Sequence, residues 1–122
     1  MSRSSQRGRF AVGLEIEEIA DGAHYTLRLS GELEITSANT LQQTIVRLCE
    51  QPLLSLTIDL RELTFIDSTG LAAIILASKI CERHPDGYDF WLIPGPSNVQ
   101  RLFEVTGLLD ALPFRGDAAS TR

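Results

Sequence analysis

The sequence predicts an α/β domain: a mixed, mostly parallel sheet of four to five strands, opened by an N-terminal antiparallel hairpin and accompanied by three to four helices. Three observations carry this expectation. Segments with the two-residue alternation of strands are interleaved with segments of helical spacing, an order that favours parallel pairing with right-handed crossovers. A turn dipeptide, Asp21-Gly22, separates two alternating runs near the start, as in a hairpin. The chain has 122 residues, 43% of them hydrophobic, which suits one domain with a real core.

Phe10, Val12, Leu14 and Ile16 alternate and predict the first strand, and Tyr25, Leu27 and Leu29 predict the second, ended by Gly31. In TSANTLQQTIVRLCE, the positions Ala38, Leu41, Ile45 and Leu48 have helical spacing, Thr36 or Ser37 is available as a cap, and Pro52 sets the far limit. Leu54 to Leu60 is a short bounded apolar run and predicts a buried strand, with RELTF crossing over to a helix from Ser68 to about Cys81. DGYDFWLI ends in a fourth strand, and Pro94-Gly95-Pro96 is a hard break. SNVQRLFEVTG predicts a helix starting at Ser97 and closed by Gly107, and LLDALPF supplies a turn and a short last strand. Residues 1–9 are expected as a flexible tail, 10–114 as the domain and 115–122 as a second tail.

The formal net charge of −5 argues against a duplex-binding surface, so no nucleic acid is expected. No apolar run approaches the length of a membrane span, so no membrane is expected either. The arginines at 3, 7 and 9 are followed by no apolar segment of a secretory signal, which favours the cytoplasm. Cys49 and Cys81 lack a disulfide or zinc pattern and read as small buried side chains. His24 and His84 read as surface or satisfied histidines, and Phe90 and Trp91 as packing, so no metal and no cofactor is expected.

The stretch FIDSTGLAAIILA places a polar knot directly before a long apolar run. Asp67 is a good N-cap, able to accept from amides of the first helical turn. Ser68, Thr69 and Gly70 then occupy that turn, whose N–H groups lack intrahelical acceptors. A helix N-terminus carries about half a positive charge, and an anion there gains about 0.3–1 kcal/mol when exposed. A phosphate on Ser68 would be partly accommodated by free amides while adding roughly −1.5 to −2 charge beside Asp67. In open sheets of this kind, sites collect where helices begin beyond the carboxyl ends of strands. Taken alone, the four residues are an ordinary helix cap.

The surrounding blocks change that reading. RLSGELEITSANTLQQ (Arg28 to Gln43), LTIDLRELTFIDSTGLAAII (Leu56 to Ile75) and VQRLFEVTGLLDAL (Val99 to Leu112) together resemble the STAS-domain anti-sigma-factor antagonists of bacteria. The central block is the most specific: an acid at the end of an apolar strand, a short connection, then F-[IM]-D-S-[ST]-G-L. The resemblance implies a STAS-like fold and a regulator that binds an anti-sigma factor which is also a serine kinase. Unphosphorylated, such a protein captures the kinase and frees a sigma factor. Phosphorylation of the motif serine, with ATP and Mg²⁺, ends the complex, and a serine phosphatase resets it.

Carried over residue by residue, the resemblance makes Ser68 the phosphorylated serine, with Thr69 a secondary acceptor where the family commonly has Ser. It makes Asp67 the motif acid and Asp59 the acid closing the preceding strand. Gly70 is the glycine that lets the helix start approach the partner, with Leu71 beside it. Glu34, in GELE, stands where the family often has Asp, on a loop near the docking face. The expected partners are the kinase and the phosphatase, and a monomer is expected. A second reading, from another class, is a STAS scaffold or sensor module in a signalling assembly without sigma-factor control.

Enzyme readings find little support. A serine hydrolase wants G-x-S-x-G and a partnered histidine, whereas Ser68 lies in I-D-S-T-G. A P-loop needs G-K-[ST] after a glycine-rich loop, and Lys79, the sole lysine, has none before it. The chain is therefore not expected to be an enzyme, with no catalytic residue of its own.

Overall fold

The computed structural model describes residues 4–11, 13–84 and 87–115. Eight elements follow one another: β1 (Ser4–Ala11), β2 (Leu14–Asp21), β3 (His24–Leu33), α1 (Ala38–Leu48), β4 (Ser55–Ile66), α2 (Ser68–Arg83), β5 (Asp89–Ile93) and α3 (Ser97–Val105). They form one five-stranded sheet in the order β1-β2-β3-β4-β5. The first two pairings are antiparallel and the last two parallel. The sheet is mixed, as expected, and its antiparallel region is wider than expected by a single strand.

That extra strand corrects the start of the chain. Phe10 to Ile16 is not one strand. Gly13, at φ 79°, turns the chain between β1 and β2, a left-handed conformation that costs glycine little. Residues 4–9, expected in a tail, therefore pair with β2. At the other end Arg115 also belongs to the fold: its N–H donates to the Leu92 carbonyl at 2.8 Å and its guanidinium lies 3.8 Å over the Trp91 ring. The rest of the two expected tails, residues 1–3 and 116–122, lies outside the described residues.

Two strands run further than their apolar patterns suggest. β3 continues through Gly31 to Leu33, and β4 continues through RELTF to Ile66. Register shifts on the β3–β4 ladder, between Arg28 and Ser30 and between Gly31 and Glu32, absorb extra β4 residues and let both strands reach the same edge. Those irregularities break strict alternation, so the sequence pattern stops short of where the strands do.

The helices cover one face of the sheet. Leu14, Ile16, Leu27, Leu29, Leu56, Ile58 and Leu60 point into it, against Leu41, Ile45 and Leu48 of α1, Ile74 and Ala77 of α2, and Val99 and Phe103 of α3. Phe103 is fully buried and meets Phe114 edge-on at 5.0 Å. Helix α3 closes with Gly107 N–H donating to Glu104 O and Leu108 N–H to Phe103 O, the paired bonds of a Schellman ending. The last strand expected in LLDALPF is reduced to a single parallel bridge between Leu92 and Phe114.

The opposite sheet face carries a charged cluster centred on Asp59, which is 1% exposed. Arg61 binds it through the backbone N–H at 3.0 Å, Nε at 3.1 Å and Nη2 at 2.9 Å. Arg28 reaches it from β3 at 3.4 Å and also reaches Glu17. Burial pushes the carboxyl toward its protonated form. The hydrogen bonds and charge of Arg61, then Arg28, outweigh that and hold its pKa below the usual carboxylate value. A depressed folded-state pKa gives stability that is present above the unfolded value, about 3.9, and lost as pH falls through the folded one. Asp59→Asn is therefore expected to cost about 1–3 kcal/mol at pH 7. The difference from the parent should shrink below about pH 4, as read from urea melts across pH.

Candidate functional site

Strands β3 and β4 are parallel, so their carboxyl ends emerge at one edge of the sheet. There the chain leaves Leu33 into the loop Glu34–Ser37 and leaves Ile66 into Asp67 and α2. One carboxylate joins the two exits. Asp67, extended at φ −115° and ψ −175°, caps α2: its Oδ1 accepts from Gly70 N–H at 2.9 Å. Its Oδ2 accepts from Ile35 N–H at 3.2 Å, and its own N–H donates to Leu33 O at 3.2 Å. Such a cap is worth about 1 kcal/mol, and here it also fixes a neighbouring loop.

The loop is held from its other side by Ser37, which is fully buried. Its hydroxyl donates to Glu32 O at 2.8 Å and accepts from Glu34 N–H at 3.0 Å. Ser37 thus stands at the N-cap position of α1, as its residue type suggested, but its side chain is turned into the loop and caps no amide of the helix. The Glu34 carboxylate accepts from Thr36 Oγ1 at 3.2 Å. Helix α3 joins the edge as well, with Asn98 Nδ2 donating to Thr64 O at 2.8 Å.

Ser68 is the first residue of α2 and is exposed. Thr69 is half-buried, Glu34 and Asp67 likewise, and these four share the edge. The other expected contact residues do not. Leu71 is only 5% exposed and belongs to the core. Gly70 is buried, and a Cβ there would sit 2.3 Å from Leu33 O, so its missing side chain serves the approach of α2 to β3 within the chain rather than to a partner. Asp59 does not close its strand, which runs on to Ile66. Its carboxylate is enclosed by the arginines of the open sheet face and is not available to a partner.

Sequence reasoning missed the apolar rim of the edge. Ile35 is 69% exposed and Phe65 47% exposed, flanking the Asp67 clamp on the two chain exits. Down α2, Ala72 and Leu76 follow Ser68 at intervals of four and stay exposed. The available signal was Leu76 lying off the stripe of Leu71, Ile74 and Ala77. A hydroxyl open to water, amides at a helix start, two nearby carboxylates and an apolar rim suit protein contact and modification better than catalysis. Among the described residues no cluster of three or more His, Cys, Asp or Glu could hold a metal ion, and no helix is long and apolar enough to cross a membrane.

A five-stranded mixed sheet, helices on one face and an Asp-Ser-Thr-Gly helix start at the carboxyl edge define a domain class. The STAS domain family model matches residues 15–120, and the chain belongs to that family. Among curated proteins it is similar to an anti-sigma-B factor antagonist of Staphylococcus epidermidis, 24% identical over 83% of this chain and 92% of that one. The counterpart from Staphylococcus aureus is 23% identical over the same shares. Among solved structures, an anti-sigma factor antagonist from Mycobacterium paratuberculosis superposes with a TM-score of 0.70 at 21% identity, over 97% of this chain and 89% of that one. The antagonist SpoIIAA in its unphosphorylated form gives 0.69 at 17% identity, over 86% and 88%.

Proposed function

We propose that this protein is an anti-sigma-factor antagonist working by partner switching. In its unmodified form it captures an anti-sigma factor that is also a serine kinase, and a sigma factor is set free. The kinase transfers a phosphoryl group to Ser68, the complex dissociates, and a serine phosphatase restores the capturing form. The observation that carries this reading is the exposed Ser68 hydroxyl at the first position of α2, inside an edge with the apolar groups Ile35 and Phe65. The names of the curated relatives and of the two antagonist structures support it.

The chemistry requires little of this chain beyond presentation. Asp67 holds the helix start and the Ile35 loop in one surface, and Ser68 stands clear of both. A phosphate on Ser68 meets the amides of the first turn, which lets the helix tolerate it. It also places roughly −1.5 to −2 charge beside Asp67 and near Glu34, on a surface that must be desolvated for docking. Thr69, less exposed, is the weaker acceptor. Incubation with a kinase-type anti-sigma factor and Mg²⁺-ATP is expected to add one phosphate, mapped by mass spectrometry to Ser68 and absent from Ser68→Ala. Modification confined to Thr69, or none, would overturn the assignment.

A scaffold or sensor module is the second reading, and it predicts partner capture that is indifferent to Ser68.

A further inference from the structure

The helices leave one sheet face open, and beyond α3 the chain returns to its β5 side. Leu92 N–H donates to Pro113 O at 3.0 Å and Arg115 N–H to Leu92 O at 2.8 Å, the two bonds that flank the parallel bridge between Leu92 and Phe114. Alternation then sorts the side chains. Phe114 turns toward the helices, where it meets Phe103. Arg115 turns the other way, its guanidinium over the ring of Trp91, which alternates along β5 with the buried Phe90 and Leu92. On the same open face a hollow of about 300 Å³ is lined by Thr26, Arg28, Asp59, Arg61 and Ile93. The Arg61 side chain is 43% exposed beside the enclosed Asp59. The other carboxylate lining the hollow, Asp21, lies at the turn between β2 and β3, away from β5.

We propose that Gly116 to Ala119 continue this strand and strap the open face, with the Asp117 carboxylate set against the Arg61 guanidinium. The register carries Asp117 there. Phe114 stands opposite Leu92, and Leu92 opposite Ile58, so Asp117 falls level with Arg61. Alternation gives Asp117 the face of Arg115 and Gly116 the face of Phe114, where glycine forces no side chain against α3. β5 ends at Ile93. Pro94 lacks the N–H for the next ladder bond, but its carbonyl is placed to accept from Asp117 N–H.

Two strand spacings, about 9–10 Å, separate the strap from β4, and a guanidinium reaching from one side meets a carboxylate from the other. The charges are complementary. Arg28, Arg61 and Arg115 bring three guanidinium groups to this face, Asp59 serves the first two, and Asp117 is the first charged residue after Arg115. A surface ion pair contributes little alone, so the ladder and the pair hold the strap together and leave it displaceable. A protein docking on the open face must displace the strap first. The edge at Ser68, beyond the point where β4 runs on to Ile66, stays clear of it.

Paramagnetic broadening in the full chain tests this. Ala119→Cys carries a nitroxide in a Cys49→Ser background, Cys81 being fully buried, and a thermal melt checks that the labelled chain is folded. The amide signals of Arg61, Trp91 and Ile93 should lose most of their intensity, while those of α1, across the sheet, keep theirs. Adding Asp117→Lys should restore the Arg61 signal. Full intensity at Arg61 in the labelled parent would overturn the proposal, and so would a loss that Asp117→Lys leaves unchanged. Broadening that appears in an isotope-labelled copy mixed with a spin-labelled one would overturn it too, since the occupant would then be a second copy.

Discussion

Ser68→Glu is expected to weaken capture of the proposed anti-sigma partner by about 10- to 100-fold, and phosphorylation by more, while Ser68→Ala stays within a few-fold of the parent. The effect is electrostatic and local. A surface that must shed water to dock acquires a charge next to Asp67, and a loss of about 1.4 kcal/mol is tenfold in affinity. The fold should not share the penalty. Ser68 is exposed at the start of α2, where an anion is favoured by about 0.3–1 kcal/mol, so the glutamate variant should melt at or slightly above the parent. Binding that falls while stability holds is the signature, read by titration calorimetry beside thermal denaturation. Equal affinity of the serine and glutamate forms would remove the electrostatic switch and leave the scaffold reading.

Gly70→Ala should produce the opposite pattern, a loss of stability first. The added Cβ would lie 2.3 Å from Leu33 O and 2.9 Å from both Leu33 C and Cγ. Backbone atoms cannot rotate away, so α2 must lift from the end of β3. Lifting it strains the bonds from Asp67 Oδ1 to Gly70 N–H and from Asp67 N–H to Leu33 O. The expected cost is about 3 kcal/mol or more, beyond ordinary overpacking because the neighbour is main chain. For a domain of this size that corresponds to a fall in melting temperature of roughly 10 °C. Partner affinity should fall as well, since Ile35 is held to the same carboxylate. A variant that melts like the parent would show that α2 is less tightly seated than its contacts indicate.

The two substitutions separate the roles of nearby residues in one motif. Ser68 faces outward, where the proposed switch would act, whereas Gly70, two positions on, faces inward and carries the packing. A motif read along the chain treats them as one docking unit. Helical geometry puts them on different sides, about 200° apart at 3.6 residues per turn. The same geometry moves Leu71 into the core and brings Ala72 and Leu76 to the surface.

What the sequence determined alone was local. Alternation located β3, a short bounded apolar run located the start of β4, DGYDFWLI contained β5, helical spacing and end residues located the helices, and Asp67 before Ser68 marked a capped start with an open hydroxyl. These follow from contacts within a few residues, which any short segment displays. Tertiary structure decided the rest, because pairing and packing join residues distant in sequence. It drew residues 4–9 into the sheet through the turn at Gly13, and it carried β4 past its apolar run to Ile66 along a bulged ladder with β3. It enclosed Asp59 between Arg28 and Arg61, and it fastened the Ile35 loop to Asp67 across 32 positions.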